Sequence, residues 1–237
     1  MIRALALLAA TLIAVGVARA ADDPPHPERL RAADRGDLGY TYGVGAFVPE
    51  YAPPAVGSYT LPVVGTISDH PVLDADGHET TLLARKRSRV AVVAFVYTTC
   101  VEAAGCPLSF AVLDRIDRDL AADAKLARDV VLMTVSFDPE RDTPTRMAVV
   151  QRFHAPKTDW AFLTTTGESA LVPLLGDFGQ PVAKLRFPDG TWSGLYRHVL
   201  KVFLLDRENR VRNVYSAGFL NPELVLNDVR TVLSDGR

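Results

Sequence analysis

The sequence predicts an α/β fold: a central mixed β-sheet with helices on both faces and a β-hairpin at its N-terminal end. Three observations carry that prediction. Residues 90–97 (VAVVAFVY) and 130–137 (VVLMTVSF) are unbroken apolar runs rich in β-branched side chains, as expected of strands buried on both faces. Between and beyond them, apolar residues recur every three or four positions, the period of a helix that covers a core. Strands that alternate with such helices fold into a sheet with helices packed on its faces.

The elements follow in order. Residues 1–20 (MIRALALLAATLIAVGVARA) read as an export signal. Arg3 supplies the positive start, 4–17 the apolar stretch, and Ala18-Arg19-Ala20 the small-x-small cleavage pattern. The apolar stretch is short for a bilayer span of roughly 20 residues. A cleaved signal is the first expectation; an uncleaved anchor holding the chain at the inner membrane by residues 4–17 is the alternative. No cysteine follows the cleavage site, which argues against a bacterial lipoprotein. Residues 21–56, rich in Pro and Gly, read as an extended arm, and the globular domain as 57–237. The turn Asp74-Ala75-Asp76-Gly77 joins 63–72 to 78–83 as a hairpin. After the strand 90–97, a helix is expected from Pro107 to about Leu126, with Val112, Ile116 and Leu120 on one face. The strand 130–137 follows. Thr143-Pro144 is an N-cap with Pro at the first helical position, starting a helix that runs to about His154. A short strand at 160–163, a helix at 168–178, a hairpin of 200–205 with 211–215, and a last helix from Asn221-Pro222 complete the domain.

Composition narrows the function. The 26 Lys and Arg are matched by 28 Asp and Glu, and no local basic cluster appears, so nucleic acid is not an expected partner. Two cysteines exclude a multi-disulfide scaffold and a four-cysteine metal site. They leave one disulfide, one dithiol, or two ligands of a metal. In the oxidising periplasm that the signal predicts, they form a disulfide unless reduced or held by a metal.

Cys100 lies just past the first central strand and Cys106 just before a helix, and the carboxyl ends of central strands are where α/β folds place their sites. The positive helix end is expected to favour a thiolate at Cys106. The five intervening residues can bring the sulfurs together only by looping out, which Gly105 and two alanines ease.

These motifs resemble the Sco/SenC family. The marks are Phe95-Val96-Tyr97-Thr98-Thr99-Cys100 leading to Cys106-Pro107, then Ser136-Phe137-Asp138-Pro139-Glu140-Arg141-Asp142-Thr143-Pro144, and His198 just before a strand. The resemblance covers about 57–237. It implies a thioredoxin-like fold and a role in delivering copper to cytochrome c oxidase. It implies Cys100, Cys106 and His198 as copper ligands, and a copper-accepting partner such as an oxidase copper subunit. The chain departs from the family in one respect: five residues, not the usual three, separate the cysteines, and Val101 stands where a proline usually follows the first.

The ligand chemistry agrees. Two thiolates and an imidazole suit Cu(I) and can hold Cu(II), although zinc accepts the same set. The imidazole calls for an orienting acceptor, for which Asp138, Asp142 and Asp177 are candidates. Arg141 is expected to pair with a carboxylate beside the cysteines, and Trp160, Trp192 and Tyr196 to pack. His26, His70, His78 and His154 are expected on surfaces or in turns. The alternative function is a periplasmic thiol–disulfide oxidoreductase in which Cys100 and Cys106 exchange disulfides with a partner and His198 is dispensable. A peroxide-reducing reading lacks its motif, since Tyr97 stands three residues before Cys100 and no proline precedes it.

Overall fold

The computed structural model describes residues 53–235. The signal 1–20, most of the 21–56 arm and His26 lie outside the described residues.

Ten strands and six helices are described: β1 (Gly65–Thr66), β2 (Pro71–Leu73), β3 (Glu79–Thr81), α1 (Leu82–Lys86), β4 (Val90–Val96), α2 (Cys106–Ala121), α3 (Ala124–Asp129), β5 (Val130–Ser136), α4 (Pro144–His154), β6 (Trp160–Leu163), α5 (Glu168–Asp177), β7 (Val182–Arg186), β8 (Trp192–His198), β9 (Lys201–Leu205), β10 (Arg210–Ser216) and α6 (Pro222–Asp235). Six strands form the central sheet in the order β1-β10-β9-β4-β5-β6. β4, β5 and β6 run parallel, while β9 lies antiparallel to β4. The sheet is therefore mixed, as expected.

Its two faces separate the core by alternation. Ala91, Val93, Phe95, Val131, Met133 and Val135 point to one side, where Leu171, Leu174 and Leu175 of α5 and Leu82 of α1 pack. Val90, Val92, Ala94, Val130 and Leu132 point to the other, against Val112, Ile116 and Leu120 of α2 and Val225, Val229 and Val232 of α6. Each such aliphatic side chain contributes about 1.5–3 kcal/mol on burial. Both faces need apolar residues, so β4 and β5 show no polar alternation.

Three boundaries differ from expectation. The N-terminal hairpin is shorter: β2 and β3 pair across the predicted turn, but Gly65–Thr66 leaves to pair with β10. Thr81 then caps α1 by accepting the amide of Ala84. The long helix after the cysteines breaks at Ala122, because the Asp123 carboxylate accepts the amides of Lys125 and Leu126 and starts α3. The third difference is a whole element. β7 and β8 form a separate two-stranded antiparallel sheet, with His198 paired to Val182 at the end of β8.

The register brings three loops to one place. β4 and β5 pair in parallel from Val90–Val130 through Val96–Ser136, so both strands end at the same sheet edge. β9 begins at that edge, since Ala94 opposes Val202. The cysteine loop, the 137–143 segment and His198 all issue there.

Candidate metal centre

Cys106 is the first residue of α2, with Gly105 as N-cap and Pro107 following. Its sulfur turns inward, 3% exposed, and accepts the amide of Tyr97 at 3.4 Å. Cys100 is held by its amide, which donates to the Tyr97 carbonyl at 3.2 Å, and is only half-buried. The loop between them closes through the Gly105 amide on the Glu102 carbonyl at 2.8 Å. A Cβ at Gly105 would lie 3.1 Å from that carbonyl oxygen and 3.3 Å from the Cys100 sulfur, so the wide loop packs closely only around a glycine. His198 arrives from β8, its ring edge-on to Tyr97 at 5.6 Å and tilted against Phe137 at 5.1 Å. The donor atoms of Cys100, Cys106 and His198 lie within 4.8 Å of one another. A single ion can be held by that set, and two sulfurs with one imidazole nitrogen are a donor set that fits copper.

The electrostatics reverse one expectation. The amide at the start of α2 reaches the Cys100 sulfur as well as the sulfur of its own residue. Cys100 is lowered well below the usual thiol range, first by the hydrogen bond that the Cys106 thiol donates, then by the amides of Cys106 and Glu102 and by the Tyr97 hydroxyl, against the opposing effect of burial. Cys106 is raised, because it is the donor to that thiolate and because it is buried. The hydrogen bond between the two sulfurs thus makes Cys100 the more acidic thiol and Cys106 the less acidic one. Tyr97, which sequence alone does not mark as part of the centre, donates its hydroxyl to the Cys100 sulfur. Its own ionisation is pushed up by burial and by the adjacent thiolate.

None of the three candidate carboxylates touches the imidazole. Asp177 binds His70 Nε2 at 2.8 Å and the Ser68 amide at 2.9 Å. Asp142 accepts the Thr98 amide at 2.9 Å, the Ser136 hydroxyl at 2.6 Å and the Thr98 hydroxyl, fixing the chain just before Cys100. Asp138, fully buried, pairs with Arg141 and accepts the Tyr196 hydroxyl at 2.9 Å. His198 Nδ1 instead lies 3.5 Å from the Tyr196 carbonyl. A proton on Nδ1 faces that oxygen and leaves Nε2 to ligate.

Arg141 does pair with a carboxylate, as expected. It also donates to the Gly194 carbonyl at 3.0 Å and stacks over Trp192 at 4.4 Å. Trp160 and Tyr196 are buried, and Trp192 packs against the core. His70 and His154 depart from their expected exposure: His70 is buried against Asp177, and the half-buried His154 turns its side chain inward against Asp114. His78 remains exposed. It joins Asp74 and Asp76 in a second cluster of donor atoms, but there the Asp74 carboxylate accepts the amides of Asp76 and His78, which is ordinary turn chemistry. A cavity of about 420 Å³ lies elsewhere, lined by Tyr59, Tyr215, Asn227 and Asp228, and contains none of the three donors.

The β7–β8 hairpin was missed although Pro188-Asp189-Gly190 is a turn signal between two mixed runs.

Fold and site together define a mixed-sheet α/β protein with a dithiol and a histidine at the carboxyl end of its central strand. The chain belongs to the SCO1/SenC family, whose model matches residues 66–234. Solved Sco proteins share its thioredoxin-like fold. Arabidopsis thaliana ScoI with copper bound superimposes with a TM-score of 0.59 at 19% identity, covering 71% of this chain and 98% of that one. A SCO1/SenC family lipoprotein from Bacillus anthracis gives 0.60 at 23%, covering 73% and 97%. BsSco, a member of the Sco family of cytochrome c oxidase assembly proteins described with a disulfide switch, gives 0.57 at 22%, covering 74% and 98%. No curated protein matches the chain by sequence.

Proposed function

We propose that the protein is exported to the periplasm, binds one copper ion through Cys100, Cys106 and His198, and passes it to the copper site of a respiratory oxidase or another cuproprotein. The observation that carries this reading is the convergence of the three donor atoms within 4.8 Å despite the widened cysteine loop. The copper bound to Arabidopsis ScoI and the oxidase-assembly role of the BsSco family support it.

The residues divide the work. Cys100, the more exposed and the more acidic of the two thiols, makes first contact. Cys106 surrenders its proton when the ion enters, so binding releases a proton. His198 closes the set. Val101, 86% exposed beside Cys100, leaves the site open on one side. An incoming partner ligand can enter there, share the ion, and displace these donors one at a time.

Transfer tests the proposal. The reduced chain 21–237, loaded with one Cu(I), is mixed anaerobically with the copper-free soluble domain of an oxidase copper subunit, and the proteins are separated. Copper is expected on the recipient. Copper retained entirely by the donor, at matched affinities, sinks the delivery role.

The second reading, a thiol–disulfide oxidoreductase, is favoured by the half-exposed thiolate of Cys100 beside the protonated, buried Cys106. Cys100 would attack a partner disulfide, forming a mixed disulfide and expelling one partner thiolate. Cys106 would then lose its proton and attack Cys100 sulfur, expelling the second. The partner is reduced and Cys100–Cys106 oxidised. A Cys106→Ser variant that never traps a partner in a mixed disulfide counts against this reading.

A further inference from the structure

His198 is not carried by the central sheet. It ends β8, and among the described residues β8 pairs only with β7, in a hairpin of its own. Something must hold that hairpin against the cysteine loop, or the third donor is lost.

The ties differ in burial. Lys184 reaches Glu140 and Glu168, but both carboxylates are well exposed, and exposed ion pairs contribute little. Asp138 is fully buried and binds twice. It accepts the Tyr196 hydroxyl at 2.9 Å, two residues before His198, and pairs with Arg141, which itself donates to the Gly194 carbonyl of the same strand at 3.0 Å. Charge-assisted bonds out of water are the strong kind. Asp138 is fixed in turn by its own amide, which donates to Ser136 Oγ at 3.0 Å at the end of β5. One carboxylate anchored to the central sheet thus fastens the strand that bears the imidazole.

We propose that Asp138 is a positioning residue for copper capture: through Tyr196 and Arg141 it holds the β7–β8 hairpin closed, and so determines whether His198 meets Cys100 and Cys106. The proposal rests on the copper reading above, and it predicts a coupling that a merely stabilising carboxylate does not produce.

The test is a double-mutant cycle on Cu(I) affinity, read by anaerobic competition with a chelator. Asp138→Asn is expected to weaken binding about 10- to 100-fold, the usual cost of losing an outer support of a ligand. In a His198→Ala background the same change is expected to cost almost nothing. An equal loss in both backgrounds overturns the proposal. Tyr196→Phe removes only the hydroxyl and carries the cycle if Asp138→Asn does not fold; its loss is expected to be smaller but equally dependent on His198.

A copper-free readout separates this idea from the one beneath it. The His198 ring protons sit against Tyr97 and Phe137. Their NMR resonances should be ring-current shifted in the native protein and move toward free-histidine positions in Asp138→Asn and Tyr196→Phe. If the native protein retains no copper, the copper reading fails, and these shifts alone decide the positioning role. Unmoved resonances overturn it.

Discussion

At the scale of single residues, the centre depends on an asymmetry between its two sulfurs. The Cys106 thiol, buried, gives its proton in a hydrogen bond to Cys100 and stays protonated, and the amides of the loop and of the start of α2 favour the Cys100 thiolate. Alkylation of the reduced, metal-free protein should therefore begin at Cys100, and its rate should already be near its plateau below the ordinary thiol range of about 8.5. Cys106→Ala removes the first of those donors, so the Cys100 profile should shift to higher pH. A profile like that of a free thiol, unchanged by Cys106→Ala, would contradict the assignment. Sequence alone points the other way, since Cys106 heads the helix. What it could not reveal is where that helix end points, which is set by how the five-residue loop folds back around Gly105. The same holds for the aspartates. Their position beside the site was readable from the Asp138-Pro-Glu-Arg-Asp142 run, but not that Asp142 would bind Thr98 and Asp138 would bind Tyr196.

At the scale of elements, legibility follows burial. β4, β5 and β6 are buried on both faces, so their sequences are almost wholly apolar and their positions were readable to within a residue or so. β7 and β8 are half-exposed, mix Lys and Arg with Leu and Val, and pair only with each other, so neither apolar period marks them. His198 precedes β9, as expected, but it also ends β8, which the sequence does not mark. Caps set the remaining boundaries. Asp123 starts α3 through two amide bonds, at 2.9 and 3.2 Å. Asp123→Ala should cost about 1 kcal/mol by chemical denaturation, with no change in thiol reactivity at the distant centre. A core substitution acts on a different scale: Leu132→Ala in β5, fully buried, should cost about 2–5 kcal/mol in the same assay. A loss for Asp123→Ala as large as that for Leu132→Ala would show that α3 does more than start at a cap.

At the scale of the whole molecule, distant parts of the chain are fastened by a few partly buried charges. Asp159, just before β6, accepts Arg85 from α1 and Arg89 from just before β4, the latter at 2.6 Å. Burial raises its carboxyl, but the two guanidinium groups more than offset that, and its ionisation lies below the usual carboxylate range. A carboxyl depressed in the folded state stabilises the fold above its unfolded value of about 3.9, and that stabilisation is lost as pH falls through the folded value. Asp159→Asn should lower stability at neutral pH by about 2 kcal/mol, a fall in Tm of roughly 4–8 °C. The difference from the native protein should shrink as the pH is taken below 4. A difference independent of pH would assign the loss to packing. Function also belongs to this scale, because the cysteine loop and His198 are distant in the chain and meet only in the finished fold. The most direct measurement is anaerobic copper titration of the reduced chain 21–237 beside His198→Ala, with bound metal counted after desalting. One tightly held copper is expected in the native protein, and its loss in the variant. No retained copper, with Cys100 and Cys106 still cycling readily to a disulfide, would contradict it and leave a redox protein on the same fold.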